Sequence, residues 1–399
     1  MSLGLNAHGQ AKSYAQNARG EESSKKDSAA IAQKYEQESP GSLDNLIAKW
    51  NKPHIDLSTY PRLNSDAAPA RAPLRYNESA LSTIEPPVNQ DYFRFAIISD
   101  SEEKDHGRYR KLLTQIQSLN AELITAGEPG ISFTIHNGDF VDEGTRKEYQ
   151  TYLDVLRKFN IPMIHVAGNH DLRHEGKYLF PQVIGDFDTH FDYANARLII
   201  LANARNRLEK KGYNGFTNQQ LSWLENLLDD QEPEVKMVFA HVPPKKPFKQ
   251  HTSSLLFKLT KKLHNQEKFN ELLRKYEVKL AAFGHHHVLA EMTSGSTTYL
   301  ISGGGGQPNG INIGKWRMDN YTSDHHFVVV DVYSNGDLRG EVIRMEDKKS
   351  HRKPPIVFYN PRDSFYADEA GDKKTPGGDG TSHTIPAKSL RDDKSNTQR

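Results

Sequence analysis

The chain of 399 residues carries 52 basic and 51 acidic side chains, so its net charge of +1 does not favour nucleic acid or an anionic membrane as a main partner. Cysteine is absent, which excludes disulfides and thiolate metal sites and restricts any metal to imidazole, carboxylate or amide ligands. A hydrophobic fraction of 36% and a mean hydropathy of −0.75 are low, and they predict solvated segments beside a folded part.

Polar sequence occupies both ends of the chain. Residues 1–90 are rich in Ser, Ala, Lys, Glu, Gln and Pro, which predicts a largely disordered N-terminal extension with one short helix candidate, "LDNLIAKW". Residues 347–399 are interrupted by Pro and Gly and predict a polar C-terminal tail. We expect a cytoplasmic location by default, because no stretch resembles a signal peptide or the roughly 20 apolar residues of a membrane span. Secretion that needs no signal peptide is the alternative.

Residues 91–346 alternate strand-like runs with helices and predict one α/β domain. The runs begin with "YFRFAIISD" and "ISFTIHNGD" and continue with "IPMIHVAGNHD", "ARLIILANA", "KMVFAHVPP" and "KLAAFGHHH". Three further runs, "TTYLISGGGG", "HHFVVVDVY" and "DLRGEVIRM", complete the predicted strands, and Asn335-Gly336 predicts a hairpin turn between the last two.

Helices are predicted between these runs. "TRKEYQTYLDVLRKF" places apolar residues at helical spacing up to Phe159. Thr217, with Gln220 three residues later, has the pattern of a capping box before "LSWLENLL". "SSLLFKLTKKLHNQEKFNELLRKY" predicts one more helix.

Five of the strand-like runs end in side chains that can bind a metal ion. Ligands at the ends of neighbouring strands converge on one edge of a sheet, so we expect these side chains to share a site. Glycines at 138, 168 and 284 allow a sharp turn or a close approach beside an ion. The candidate ligands, in chain order, are Asp100, Glu102, Asp139, Asn169, His241, His285 and His287.

Alternation along an extended backbone assigns faces within the histidine run. Residues i and i+2 point to the same side of an extended segment, so His285 and His287 are expected to face the site and His286 to face away. Seven candidate ligands exceed the four that one zinc ion takes. They suit two ions that share a bridging carboxylate, and Asp139 is the expected bridge.

These motifs resemble those of the calcineurin-like metallophosphoesterase superfamily over residues 92–345. The superfamily's ordered motifs are D-x-H, G-D-x-x-D, G-N-H-D/E, a lone His and G-H-x-H, and this chain has "DSE", "GDFVD", "GNHD", "HVPP" and "GHHH" in that order. Each motif is weak alone, whereas five in order are a specific signal. Secondary cues such as "QLSWLENLL" make the purple-acid-phosphatase-like and cyclic-nucleotide-phosphodiesterase-like branches the most similar.

The resemblance implies a four-layer α/β/β/α sandwich with a dinuclear metal centre. It makes Asp139 and His170 the catalytic residues: Asp139 bridges the ions, and His170 lies beside the leaving group as a proton donor or charge stabiliser. A hydroxide bridging the ions would attack phosphorus in line. The implied ligands are Asp100, Asp139 and His287 for one ion and Asp139, Asn169, His241 and His285 for the other.

Glu102 departs from the pattern, because a histidine is expected at the third position of the first motif. Two interpretations remain open: Glu102 binds the ion directly, or it orients a water molecule that does. Direct binding would give one site three carboxylates, from Asp100, Glu102 and Asp139, and would favour Mn, Fe or Mg over Zn.

The sequence therefore predicts a dinuclear metal-dependent phosphohydrolase that cleaves phosphomonoesters or phosphodiesters. The expected cofactors are two divalent or trivalent ions, either Mn, Fe or Zn, with Mg as a further option. Expected partners are small-molecule or lipid phosphate esters, without specific nucleic-acid binding or a transmembrane segment. One alternative is a phosphodiesterase for cyclic nucleotides or phospholipids. The other is a binding protein on a phosphoesterase fold with impaired catalysis, which the change at Glu102 supports.

Overall fold

The computed structural model covers most of the predicted domain. The helix candidate "LDNLIAKW" and the part of the last predicted helix before residue 263 lie outside the described residues. The described residues are 75–87, 90–204, 214–245, 263–307, 320–345 and 355–360.

The first sheet is mixed and has six strands. They are β1 (Tyr92–Ile98), β2 (Ile131–His136), β3 (Met163–His165), β11 (His326–Tyr333), β12 (Leu338–Arg344) and β13 (Ile356–Asn360). Their spatial order is β13-β12-β11-β1-β2-β3. Strands β1, β2 and β3 are parallel, and β11 runs antiparallel to β1. The carboxyl ends of the three parallel strands therefore lie at one edge of the sheet.

The second sheet has seven strands. They are β4 (Thr189–Tyr193), β5 (Ala196–Leu201), β6 (Val235–Ala240), β7 (Leu280–Phe283), β8 (Leu289–Ser294), β9 (Thr297–Ser302) and β10 (Asn320–Thr322). Their spatial order is β10-β8-β9-β7-β6-β5-β4, with β5, β6, β7 and β9 parallel. The flanking strands are antiparallel to their neighbours.

Helices cover the outer faces of the sheets. They are α1 (Tyr76–Leu81), α2 (Gly107–Thr125), α3 (Arg146–Leu156), α4 (Gly176–Leu179), α5 (Asn218–Asp229) and α6 (Gln266–Lys275), and a π-helical turn (Phe180–Ile184) follows α4. Among the helices that the structure describes, none has the length and apolar character needed to cross a membrane.

Three apolar cores separate four layers. Between the sheets, alternate residues of β1 such as Phe93 and Phe95 pack in one core with Leu198 and Phe239 of the second sheet. The intervening residues of β1, such as Ile98, belong to a core shared with α2, α3 and α4. The outer face of the second sheet packs against α5 and α6 in a third core. The predicted four-layer α/β/β/α sandwich is therefore confirmed.

Local sequence signals account for several element boundaries. The Thr217 hydroxyl accepts from Gln220 N at 3.1 Å and the Gln220 side chain accepts from Thr217 N at 2.9 Å, which confirms the capping box. Asn335 and Gly336 form the predicted hairpin turn between β11 and β12, with φ +86° at the glycine. Helix α3 ends at Leu156, three residues before its predicted end, because the chain turns there toward β3.

Replacing Thr217 with alanine is expected to lower the free energy of unfolding by about 1 kcal/mol, because the backbone N–H of Gln220 at the start of α5 loses its acceptor. Urea unfolding followed by circular dichroism measures the change. Thr151→Ala is the matched control: Thr151 lies within α3, its hydroxyl donates to the Lys147 carbonyl oxygen at 2.9 Å, and its loss leaves no N–H uncapped. Equal unfolding curves for the two variants would contradict a capping role.

Two short segments join the domain from beyond its predicted boundaries. Helix α1 lies within residues 1–90, yet Asn77 is 1% exposed. Its side chain pairs with both backbone groups of His165 at 2.9 and 3.0 Å. Strand β13 lies within residues 347–399, and the Asn360 amide donates to the Lys279 and Ser296 carbonyl oxygens at 2.9 Å each. Helix α1 has six residues, too few for a helical period to be recognised, whereas "IVFYN" of β13 is rich in strand-forming residues but lies in an otherwise polar tail.

Candidate metal centre

Five loops meet at one rim of the sandwich, each directly after a parallel strand. The loops after β1, β2 and β3 come from the first sheet, and those after β6 and β7 come from the second. Side chains from both sheets therefore converge at the carboxyl ends of their strands. The potential ligand atoms form three groups, within each of which all atoms lie within 4.8 Å of one another. The groups are Asp139 with His241 and His285, Asp100 with Glu102 and His287, and Glu102 with Asp139 and His170.

Asp139 is the centre of the first group. His241 Nε2 lies 3.0 Å from Asp139 Oδ2 but is not aligned for a hydrogen bond. His241 Nδ1 donates to the Asn137 carbonyl oxygen at 2.8 Å, which orients the ring so that Nε2 is available to a ligand. Asn169 lies in the loop after β3, where it is 2% exposed, and neither polar atom of its side chain has a partner among the described residues. The next amide, His170 N, donates to Asp139 Oδ1 at 2.7 Å.

Asp100, Glu102 and His287 form the second group. His287 Nε2 lies 3.4 Å from Glu102 Oε1 and 3.6 Å from Asp100 Oδ1. Both carboxyl oxygens of Asp100 accept from His285 N at 3.0 Å. Glu102 is 3% exposed, and within the described part of the chain neither of its carboxyl oxygens has a hydrogen-bond donor. A buried carboxylate without donors is costly, so this one needs a cation or a proton.

The pKa shifts describe a cluster that holds protons in place of cations. Burial raises the pKa of Glu102 to about 8. Burial lowers the pKa of His241, but the charges of Asp139 and Asp100 outweigh it and raise the value to about 10. For His287, burial is likewise outweighed by the contact with Glu102 and the charge of Asp100, and the pKa rises to about 9. Oxygen and imidazole donors that attract positive charge, with unpartnered buried oxygens among them, are a fitting set of metal ligands.

Backbone strain is concentrated at the same residues. Asp100, Asp139 and His285 adopt positive φ angles of 58°, 54° and 67°, in a region that non-glycine residues seldom occupy. Two glycines let the backbone approach these residues. A Cβ atom at Gly168 would lie 2.2 Å from Asp139 N, and one at Gly284 would lie 2.6 Å from Asp100 Oδ2. The backbone of these loops is therefore strained, and this strained conformation fixes where the three side chains lie.

Asp171 holds the loop that carries Asp139. Its Oδ2 accepts from Asp139 N at 2.9 Å and Gly168 N at 2.7 Å, and its Oδ1 accepts from Phe140 N at 2.8 Å. The buried Asp171 carboxylate thus connects the loops after β2 and β3. Its hydrogen bond to Asp139 N fixes the position of Asp139.

The histidine run is not the extended segment that the sequence predicts. Strand β7 ends at Phe283, and the positive φ of His285 turns the chain. His285 and His287 do reach the cluster, but they join different groups. His286 is 4% exposed and belongs to no group, in agreement with its predicted outward direction. A bend at His285, and not strand alternation, therefore brings His285 and His287 to the cluster.

Comparison with known proteins agrees with this geometry. Residues 93–289 match the family model described as calcineurin-like phosphoesterase. This part of the chain belongs to the calcineurin-like phosphoesterases. The phosphoesterase domain is accordingly a hydrolase of phosphate esters, from a family that depends on metal ions.

Two relatives resemble this chain over a similar stretch. A probable glycerophosphodiester phosphodiesterase from Arcobacter nitrofigilis is 27% identical over 200 residues, which cover 48% of this chain and 70% of the relative. A probable cyclic nucleotide phosphodiesterase from Coxiella burnetii is 25% identical over 205 residues, covering 48% of this chain and 72% of that one. Among solved structures, a purple acid phosphatase from yellow lupin (Lupinus luteus) seeds is 17% identical, with a TM-score of 0.49 over 69% of this chain and 54% of the other.

Sequence reasoning missed two residues of the phosphoesterase domain that lie at the rim. Asn203 is the second residue after β5, and its Oδ1 accepts from His241 N at 3.1 Å and Val242 N at 2.9 Å. A polar residue close to the end of a buried strand was the available signal. Arg173 follows His170 by three residues, and its Nη2 lies 3.0 Å from His170 Nε2. No periodicity or spacing rule points to Arg173, because it lies in an irregular turn.

Proposed function

We propose that the phosphoesterase domain is a dinuclear metal-dependent phosphohydrolase that acts on phosphodiesters. The observation that carries this proposal is the position of Asp139, whose carboxylate belongs to one ligand group with His241 and His285 and to another with Glu102 and His170. A carboxylate shared between two groups suits a bridge between two ions. Its neighbours supply enough oxygen and nitrogen donors for both.

The proposed ligands of the two ions extend two of the groups: Asp139 is added to the group of Asp100, Glu102 and His287, and Asn169 is added to the group of Asp139, His241 and His285. Two bound cations would lower the pKa of water and neutralise phosphate oxygens. The protein positions these ligands with its own contacts, such as those of Asn137 to His241 and of Asp171 to the loop of Asp139. One ion would be held by Asp100, Glu102, Asp139 and His287, and the other by Asp139, Asn169, His241 and His285.

Charge at the rim supports diesters over monoesters. Asp142 and Glu143 lie beside His170, with side chains 49% and 45% exposed, and Arg173 contacts both. Two carboxylates around one guanidinium leave a local negative excess. A phosphomonoester dianion is repelled more strongly there than a monoanionic diester. The names of the two relatives, a glycerophosphodiester phosphodiesterase and a cyclic nucleotide phosphodiesterase, agree with a small-molecule phosphodiester substrate.

Hydrolysis of two chromogenic esters tests the proposal. The protein loaded with Mn²⁺ is expected to hydrolyse bis(4-nitrophenyl) phosphate with a higher kcat/KM than 4-nitrophenyl phosphate, and elemental analysis is expected to find two ions per chain. A reversed preference would make the domain a phosphomonoesterase. Bound ions without turnover of either ester, under Mn, Fe, Zn or Mg, would favour the binding protein with impaired catalysis.

Replacing Glu102 with histidine is expected to shift metal preference toward zinc by about tenfold. Histidine removes one of three carboxylates from the ligands around Asp100 and supplies the softer imidazole. Competition between Mn²⁺ and Zn²⁺ for the purified protein, read by elemental analysis, measures the ratio directly. Activity is not needed for this measurement.

Glu128→His provides a matched control for the Glu102 variant. Glu128 is exposed and accepts from the Tyr92 hydroxyl at 2.7 Å, away from the strand ends that carry the ligands. Its replacement is expected to leave the Mn²⁺ to Zn²⁺ ratio unchanged. If Glu102→His also leaves the ratio unchanged, Glu102 does not bind the ion directly.

A further inference from the structure

A cluster of charged side chains lies beside the candidate metal centre, on the loops after β2 and β3. Arg173 Nη1 lies 2.8 Å from Glu143 Oε1 and 2.9 Å from the Asp142 carbonyl oxygen, and Nη2 lies 3.0 Å from His170 Nε2. The Arg173 side chain is 16% exposed. Its backbone is enclosed as well, because a Cβ atom at Gly144 would lie 2.4 Å from the Arg173 carbonyl oxygen. The guanidinium is therefore held in one place beside the site.

The hydrogen-bond partners of the His170 ring determine which of its two nitrogens carries a proton and which accepts one. Its Nδ1 lies 2.8 Å from the Asp142 carbonyl oxygen and 2.9 Å from Asp142 Oδ1. A carbonyl and a carboxylate only accept, so Nδ1 carries the proton. The Nε2 atom faces Arg173, which only donates, so Nε2 is the acceptor. Both ring nitrogens therefore have partners on these two loops.

Arg173, in contrast, retains donors. A guanidinium has five N–H groups, and the contacts to Asp142, Glu143 and His170 use those on Nη1 and one on Nη2. The Nε–H group and the second hydrogen of Nη2 have no acceptor in the described part of the chain. Donors on neighbouring guanidinium nitrogens form a planar fork that matches two oxygens of one phosphate group.

We propose that Arg173 binds a phosphate oxygen of the substrate, and that its contacts with Asp142, Glu143 and His170 hold the guanidinium in position for this contact. One ring nitrogen of His170 lies within 4.8 Å of carboxylate oxygens of Glu102 and Asp139, so His170 stands between the ligand cluster and the guanidinium. An ester whose phosphate lies against the cluster comes within reach of Arg173. Asp142 and Glu143 hold the guanidinium through Nη1.

Variants of Arg173 test this assignment, which rests on the proposed function. Turnover of bis(4-nitrophenyl) phosphate by the Mn²⁺-loaded wild type is required first, and its absence would count against the proposed function and not against Arg173. Given turnover, Arg173→Ala is expected to lower kcat/KM by roughly 10²-fold and to weaken competitive inhibition by inorganic phosphate about tenfold. Arg173→Lys keeps the charge without the fork, and is expected to recover less than half of the loss on a logarithmic scale.

Guanidinium rescue separates a substrate contact from a structural role. Added guanidinium ion at low millimolar concentration is expected to raise the activity of Arg173→Ala about tenfold, whereas sodium chloride at the same ionic strength is not. Elemental analysis is expected to find the same metal content in Arg173→Ala as in the wild type. A purely structural clamp would lose metal together with activity and would show no rescue by guanidinium.

Arg197→Ala is the matched control. Arg197 is also a little-exposed arginine held by two carboxylates, at 2.8 Å from Asp192 and 2.9 Å from Asp230, but it lies on β5 away from the ligand groups. Its removal is expected to lower stability while kcat/KM and phosphate inhibition stay within twofold of the wild type. Wild-type phosphate inhibition in Arg173→Ala, or an equal loss of activity in both variants, would overturn the proposed contact.

Discussion

Replacing Asp139 with asparagine is expected to lower kcat/KM by at least about 10³-fold, a loss of about 4 kcal/mol in transition-state stabilisation. We also expect bound metal to fall from two ions per chain to fewer than one. Asparagine has nearly the same shape, and its amide oxygen can still accept from His170 N, which donates to Asp139 Oδ1 at 2.7 Å. What it lacks is the negative charge and the second oxygen needed to bind two ions at once.

The electrostatics of the cluster explain why both ions should be affected. Burial alone would raise the pKa of Asp139, but the adjacent His241 lowers it below its usual range, so the carboxylate is charged. Its removal takes away the central negative charge that the two ligand groups share. The remaining ligands of each group then have to hold an ion with one carboxylate fewer, and elemental analysis after dialysis measures the result.

Asp331→Asn is the matched control for this variant. Asp331 is also buried, at 3% exposed, and its carboxylate pairs with Arg94 Nε at 2.6 Å in β1 and β11, away from the strand ends that carry the ligands. Breaking that ion pair is expected to lower stability but to leave two ions bound. If Asp139→Asn keeps both ions and only Asp331→Asn is destabilised, the bridging role of Asp139 is wrong.

The strand ends were the part of the site that the sequence could predict. A buried strand must stop where the chain reaches solvent, and polar residues directly after five such runs can only lie at a sheet edge. This rule placed Asp100, Asp139 and His241 at one edge, and the structure has them there. Glu102 followed from the same rule, although its acidic side chain departs from the family motif. The resemblance to the phosphoesterase motifs then implied the four-layer sandwich, which no single run contains.

Backbone strain and irregular contacts were beyond the reach of sequence patterns. The positive φ angles at Asp100, Asp139 and His285 depend on how loops from two sheets pack together, and no local propensity predicts them. Asn77 and Arg173 were missed for a related reason. Asn77 donates a hydrogen bond to the backbone of His165, which is distant in sequence, and Arg173 donates to the Asp142 carbonyl oxygen in a turn. The periodicity of a sequence indicates only which apolar residues are buried, so it does not reveal such contacts.

Removal of the metal ions is expected to make the stability of the domain fall as pH rises from 7 to 9. In the metal-free protein, Glu102, His287 and His241 have pKa values of about 8, 9 and 10, all above those of the unfolded chain. The folded state therefore retains protons that the unfolded chain has already released. Under that condition the free energy of unfolding decreases with pH, by about 1.4 kcal/mol per pH unit for each retained proton.

Two buried histidines outside the cluster do not alter the expected pH dependence of the free energy of unfolding between pH 7 and 9. Burial holds the pKa of His136 and His165 below the usual value, so both are neutral in the folded state. In the unfolded chain they lose their protons near pH 6.5, and above pH 7 they are neutral in both states. Their contribution to stability is lost only on acidification, which is the opposite direction from the expected effect.

The metal-loaded protein is expected to behave in the opposite way, because bound ions replace the retained protons and metal affinity increases as ligands lose protons. Chelated and Mn²⁺-loaded samples unfolded in urea at pH 7, 8 and 9 measure the difference, which should widen at each step. Thr217→Ala, which changes stability at a residue outside the ligand groups, should shift both series equally. A constant difference between chelated and loaded protein across this range would mean that the ions do not take the place of protons on Glu102, His241 and His287.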